Sequence, residues 1–157
     1  MGDCDVLIVG AGPVGTALAL ELAHQDVSFR VVDKAPIRSD KSRAFVVQPR
    51  TLELLNRHGQ AQSFVSSGQL LSAFNIISNG KLVTKVVVDN LGTVDTAFTL
   101  PVLISQTDTE RFLDQCLSKY GKAVERPVIA EEITQDGSGV GTTLLHSDGS
   151  RETVRSK

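Results

Sequence analysis

The run Val6-Leu7-Ile8-Val9-Gly10-Ala11-Gly12-Pro13-Val14-Gly15-Thr16-Ala17-Leu18-Ala19-Leu20-Glu21-Leu22 restricts the fold more than any other part of the chain. An apolar, β-favouring stretch passes directly into a loop with glycines at the G-x-G-x-x-G spacing, and the loop passes into an apolar helical pattern. Each glycine has its own task in a strand–turn–helix unit. Gly10 lets the chain turn off the strand, Gly12 keeps the backbone open to a pyrophosphate, and Gly15 lets the helix lie close on the strand. Pro13 falls at the first helical position, where its missing N–H costs nothing. With Val14 it opens a helix whose free N–H groups and dipole favour a phosphate at its N-terminus. The expectation is a dinucleotide held at Gly10, Gly12, Pro13, Val14 and Gly15.

A second strand, Val27 to Val32, ends at Asp33. An acid about 20 residues past the glycine loop is placed to accept a hydrogen bond from a ribose hydroxyl, and it repels a 2′-phosphate. The pattern therefore favours FAD or NAD over NADP. Lys34 opens a basic loop that includes Arg38, Lys41 and Arg43. Taken as a charge run alone, that loop is a solvated surface.

The remaining chain reads as α/β. The first helix runs to about His24, with Val14, Leu18 and Leu22, plus Ala17 and Ala19, on its apolar side, and turns at Gln25-Asp26. A short helix from Pro49 places Leu52 and Leu55 on one side and stops at Gly59. Asn79-Gly80, between two β-favouring runs, marks a hairpin. The short strand Val102 to Ser105 leads to a helix capped by Thr107 or Asp108, with Phe112, Leu113, Cys116 and Leu117 inward and Gly121 at its end. Ala123 to Ala130 reads as a strand. A three-stranded antiparallel meander follows over residues 131–155, turned at Asp136-Gly137 and Asp148-Gly149.

Composition excludes several classes. The chain has 157 residues, one domain of ordinary size, with a net charge of −2 that calls for neither nucleic acid nor an anionic membrane. The apolar run near the N-terminus is preceded by Asp3 and Asp5 and interrupted by glycines, which argues against a signal peptide or membrane span. A cytoplasmic, unanchored protein is expected, with Cys4 and Cys116 as free thiols. His24, His58 and His146 lack metal-ligand spacing, and there is no Gly-x-Ser-x-Gly elbow. No catalytic residue and no metal site is assigned.

Several segments together carry a family pattern. Val9-Gly10-Ala11-Gly12-Pro13-Val14-Gly15 is followed by Val31-Val32-Asp33-Lys34, then by Ser42-Arg43-Ala44 before Pro49-Arg50-Thr51-Leu52-Glu53-Leu54-Leu55, then by Ile104-Ser105-Gln106 before Glu110-Arg111-Phe112-Leu113. In this order they resemble the N-terminal part of the FAD-dependent aromatic-ring hydroxylases, the flavoprotein monooxygenases that include phenol and para-hydroxybenzoate hydroxylases. Asp33 departs from the commoner Glu. The resemblance implies a Rossmann-like, three-layer FAD-binding fold over residues 1–157, with a parallel sheet, an antiparallel β-meander and a hairpin insertion at about 70–89. It implies FAD contacts from Asp33, Lys34, Arg43 and Gln106 as well as the glycine loop. It also implies NAD(P)H as co-substrate and a phenolic or other aromatic substrate.

Members of that family are longer. They carry a further sheet strand ending in Asp-Gly and a later Gly-Asp motif, so the fold expected here is truncated. The first strand is then left with an open apolar edge, which invites self-association. Two functions stay open: the FAD-binding portion of a monooxygenase, or a catalytically inactive remnant of the fold that acts by pairing with another chain.

Overall fold

The glycine run folds as a strand, a tight turn and a helix: β1 (Val6–Val9) and α1 (Pro13–His24). The structure is a computed structural model that describes residues 3–38, 46–88 and 96–157. Its two compact units are Met1–Asp40 with Leu113–Lys157, and Lys41–Phe112.

In the first unit, β1 pairs in parallel with β2 (Phe29–Val32), Val6 opposite Phe29 and Val9 opposite Val32. Glu125 extends this sheet through a parallel bridge to Val32. The chain after Ala123 is therefore beside β2, which is beside β1. Residues 123–130 do not form one strand, however. The extended chain passes the bridge and enters β8 (Val128–Asp136), the first strand of a meander completed by β9 (Gly139–His146) and β10 (Arg151–Ser156), in the order β10-β9-β8.

Side chains of β1 and β2 alternate between two faces. Val6, Ile8, Phe29 and Val31 pack with Ala19, Leu22 and Ala23 of α1 and with Leu117. Leu7 and Val32 pack with Cys4 and with the meander residues Val128, Leu144 and Val154. Helices, parallel sheet and meander make three layers, with a separate apolar cluster at each interface.

Of the apolar side expected for α1, Ala19 is buried and Leu22 packs against the core, but the N-terminal residues Val14 and Leu18 face outward. Thr16, Ala19, Leu20 and Ala23 are buried, whereas Val14 is 84% exposed and Leu18 45%. The segment is apolar all round, so periodicity does not select a face. The small residues Ala19 and Ala23 face the strands with Leu22, while Thr16 and Leu20 are buried as well. The chain leaves α1 at Asp26 with φ +54°, in the left-handed region, which aspartate tolerates.

The second unit contains β3 (Val46–Val47), α2 (Pro49–Asn56), α3 (Ala61–Ser67), β4 (Gln69–Leu70), β5 (Ala73–Ser78), β6 (Lys81–Val87) and β7 (Val102–Leu103). Leu52 and Leu55 of α2 are buried, as expected, and Gly59 follows at φ +68°. The Asn79-Gly80 turn joins β5 to β6 with both residues at positive φ, the requirement of a two-residue hairpin. β3 and β4 pair antiparallel with β7 on its two sides.

The helix α4 (Gln106–Ser118) begins earlier than the sequence suggests. Its N-terminal cap is Ser105, not Thr107 or Asp108. The Ser105 hydroxyl accepts the Asp108 N–H at 3.0 Å and donates to the Asp108 carboxylate at 2.7 Å, and the Ser105 carbonyl accepts the Thr109 N–H. The Ser-x-x-Asp sequence thus caps the helix through the Ser105 side chain, whose hydroxyl satisfies one orphan N–H and is itself held by Asp108. Phe112, Leu113, Cys116 and Leu117 are buried as expected.

Candidate functional site

The glycine loop has the geometry its sequence requires. Gly10 sits at φ +102°, a conformation that side chains rarely adopt, and donates its N–H to the Val32 carbonyl at 2.8 Å. A Cβ on Gly15 would stand 1.9 Å from the Gly10 carbonyl oxygen and 3.3 Å from Ile8 Cγ2. Glycine at this position is what allows α1 to lie on β1. A Cβ on Gly12 would meet nothing within 4 Å, so the face of Gly12 opens on space rather than on protein.

The first turn of α1 faces that space. Thr16 makes the first helical bond, to the Gly12 carbonyl at 3.0 Å. Pro13 has no N–H, and the N–H groups of Val14 and Gly15 precede the first intrahelical bond, so both remain as donors. These donors, the positive end of the helix dipole and the open side of Gly12 form a cradle that suits a pyrophosphate.

Asp33 stands at the end of β2, at the same end of the sheet. Its Oδ2 accepts the Ala11 N–H at 2.7 Å and its Oδ1 accepts the Ala35 N–H at 2.8 Å. Each oxygen keeps a second lone pair for a further donor. Lys34, next in the chain, is exposed. Arg126 reaches the same place from the segment after the Glu125 bridge. Its Nη2 donates to the Ala11 carbonyl at 3.0 Å, and its Nη1 lies 3.5 Å from the Ile37 carbonyl and 3.7 Å from Asp33 Oδ2. Sequence reasoning did not single out Arg126. The available signal was an arginine at the end of the third parallel segment, the end of an open α/β sheet where ligands sit.

The other expected site residues are placed as follows. Gln106 lies in the second unit, at the start of α4, where its Nε2 donates to Glu110 Oε1 at 2.8 Å. Arg43 lies outside the described residues, as do the flanking Ser42 and Ala44. Two other cations of the basic loop and the following helix are engaged in ion pairs, Arg38 with Asp114 at 2.6 Å and Arg50 with Glu53 at 2.5 Å. Cys4 and Cys116 are buried and free, and burial raises both thiols above their ordinary range. This fits small core residues rather than nucleophiles. Among the described residues there is no cluster that could hold a metal, and no helix is long and apolar enough to cross a membrane.

Comparison with known proteins agrees with this geometry. Residues 3–157 match the family described as FAD binding domain. A 6-methylpretetramide 4-monooxygenase from Streptomyces rimosus is 34% identical over 97% of this chain, which spans 30% of that protein. Among solved structures, p-nitrophenol 4-monooxygenase from Pseudomonas putida DLL-E4 superposes with a TM-score of 0.86 at 27% identity, over 98% of this chain and 39% of its own. Aklavinone-11 hydroxylase, solved with FAD and aklavinone, gives the same TM-score and identity over 99% of this chain and 32% of its own. The chain belongs to the FAD binding domain family, and it spans about a third of the length of these relatives.

Proposed function

We propose that this chain is the FAD-binding portion of a flavin-dependent monooxygenase that uses NAD(P)H and hydroxylates phenolic or other aromatic compounds. The observation that carries the reading is the glycine loop, with its open Gly12 face, its free Val14 and Gly15 N–H groups and an acid at the end of the neighbouring strand. The names of the relatives support the aromatic substrate class.

In this reading Gly12 lets the FAD pyrophosphate approach the backbone, and the first turn of α1 donates to it. Asp33 accepts from the adenosine ribose with the lone pairs its two backbone contacts leave, and Lys34 flanks the same end. Arg43 and Gln106 are assigned to FAD as well, Arg43 through phosphate and ribose contacts and Gln106 toward the flavin. When bound, FAD would supply the redox chemistry of an NAD(P)H- and oxygen-dependent ring hydroxylation. The residues of this chain bind and orient it. None of them is assigned as acid, base or nucleophile.

A second reading is a catalytically inactive remnant that pairs with another chain. It is favoured by the exposure of Val9 at the outer edge of β1. One experiment separates the two: titrate the purified chain with FAD, then follow NAD(P)H oxidation with phenols added. Flavin retention with phenol-dependent oxidation supports the enzyme. Retention without turnover supports the remnant, and failure to retain FAD rejects the enzyme reading for this chain while leaving the remnant, which does not require the cofactor.

A further inference from the structure

We propose that Arg126 is the positioning residue of the glycine loop, gripping Ala11 jointly with Asp33 so that the neighbouring N–H groups stay aimed at a pyrophosphate. The inference rests on the FAD reading and deepens it. Ala11 sits between two glycines, and glycine gives the backbone the most freedom to lose. Neither Gly10 nor Gly12 has a side chain to fix its peptide planes. Ala11 supplies the fixed point, and it is 1% exposed.

The two polar groups of Ala11 are held from two segments far apart in the chain, the residue after β2 and the stretch between the Glu125 bridge and β8. Asp33 accepts its N–H at 2.7 Å, and Arg126 donates to its carbonyl at 3.0 Å across 115 positions of sequence. Thr16 adds its hydroxyl to the same carbonyl at 3.2 Å. The N–H belongs to the Gly10–Ala11 peptide and the carbonyl to the Ala11–Gly12 peptide, so the planes on both sides of Ala11 are held, and neither can rotate without breaking a charge-assisted hydrogen bond, the stronger kind.

Arg126 has a second effect at this place. Its side chain is 13% exposed and that of Asp33 is 15%, with the charges 3.7 Å apart. The guanidinium offsets a carboxylate that would otherwise oppose an anionic ligand in a poorly solvated site. Arginine suits both tasks. Its planar fork addresses the Ala11 and Ile37 carbonyls while lying beside Asp33, whereas a lysine ammonium is a single point of charge.

The test uses the full chain and four variants: Arg126→Met, Arg126→Lys, Asp33→Asn and the double variant Asp33→Asn/Arg126→Met. FAD affinity is read by flavin fluorescence, Ala11 amide exchange is read without ligand, and the urea midpoint serves as control. Arg126→Met is expected to weaken FAD binding about tenfold or more and to speed Ala11 exchange beyond any change at the buried Val31 and Leu144 amides. Arg126→Lys recovers part of both. The double variant loses less than the product of the single losses, because the two side chains hold the adjoining peptides of one residue and lie 3.7 Å from each other. Wild-type affinity and unchanged Ala11 exchange in Arg126→Met would overturn the proposal, as would losses that multiply or that merely follow the urea midpoint. If the wild-type chain binds no FAD, the functional reading fails, and Ala11 exchange in the ligand-free variants still decides whether the grip exists.

Discussion

Gly15 lies so close to the Gly10 carbonyl that a Cβ at residue 15 would stand 1.9 Å from the oxygen. The obstacle is backbone on one side and the core side chain of Ile8 on the other, so neither yields cheaply. Gly15→Ala therefore has to push α1 off β1 and disturb the cluster of Ile8, Ala19, Ala23 and Val31. A loss of about 1–3 kcal/mol is expected, the usual range for overpacking. Urea unfolding of the ligand-free chain measures it, and a midpoint equal to wild type would show that the helix has slack the structure does not have.

Gly12 should behave in the opposite way. Its φ of −72° suits any residue, and an added Cβ meets nothing within 4 Å. Gly12→Val is expected to keep ligand-free stability within about 0.5 kcal/mol of wild type, as surface substitutions usually do. The same side chain would occupy the space assigned to the pyrophosphate, so FAD affinity should fall at least tenfold. The two glycines are thus separable by comparing unfolding with ligand binding: one serves packing and the other serves the cofactor. If Gly12→Val bound FAD normally, the cradle would lie elsewhere.

That division explains what the sequence could reveal. The strand, loop and first helix were legible because the spacing of Gly10, Gly12 and Gly15 reports local backbone demands. The buried side of α1 was legible only in part, through Ala19 and Leu22, because Val14 and Leu18 are as apolar as the residues that are buried. The three meander strands were legible from Gly-marked turns, but β3 and β4 contain two residues each, too few to show a period. Arg126 was missed because it acts on the main chain of Ala11, and a backbone partner far away in sequence leaves no side-chain pattern.

Ser105 was also legible in principle, as the first residue of a Ser-x-x-Asp box, and it gives a local test. Its hydroxyl satisfies the Asp108 N–H, one of the orphan donors of α4. Ser105→Ala should cost about 1 kcal/mol and Thr107→Ala much less. Paired urea curves check the difference. Equal effects would return the cap to the position first read from the sequence.

Acid should destabilise the chain through its hydrogen-bonded carboxylates. The backbone N–H and hydroxyl of Ser138, together with Arg155, hold Asp136 down at about 2. Hydrogen bonds from Arg30 hold Glu152 below its ordinary range, and the Ser150 hydroxyl and N–H do so for Asp148. In the unfolded chain these groups titrate near 4 (about 3.9–4.3). The unfolded state therefore takes up protons first as pH falls, and stability drops. The contribution is fully present above about pH 5 and is lost progressively toward about pH 2. Urea midpoints across this window should decline, and the decline should be shallower in Glu152→Gln. A rise on acidification would contradict the assignment.

The outer edge of β1 sets the last expectation. Val6 and Gly10 direct their N–H groups to β2, so the intervening Leu7 and Val9 present their backbone groups to the other side. Among the described residues β1 pairs with β2 alone, and at the start of its outer edge Lys157 donates its N–H to the Asp5 carbonyl at 3.2 Å. Beyond that contact lies a groove of about 250 Å³ lined by Leu7, Val9, Ile133 and Val140, with Val9 53% exposed. An unpaired apolar edge of this kind recruits another strand unless charge blocks it. The chain studied alone should therefore associate at micromolar concentration in sedimentation velocity, and Val9→Lys should shift it toward monomer. A wild-type chain that sediments as a monomer and unfolds in one cooperative step would show that this edge needs no partner.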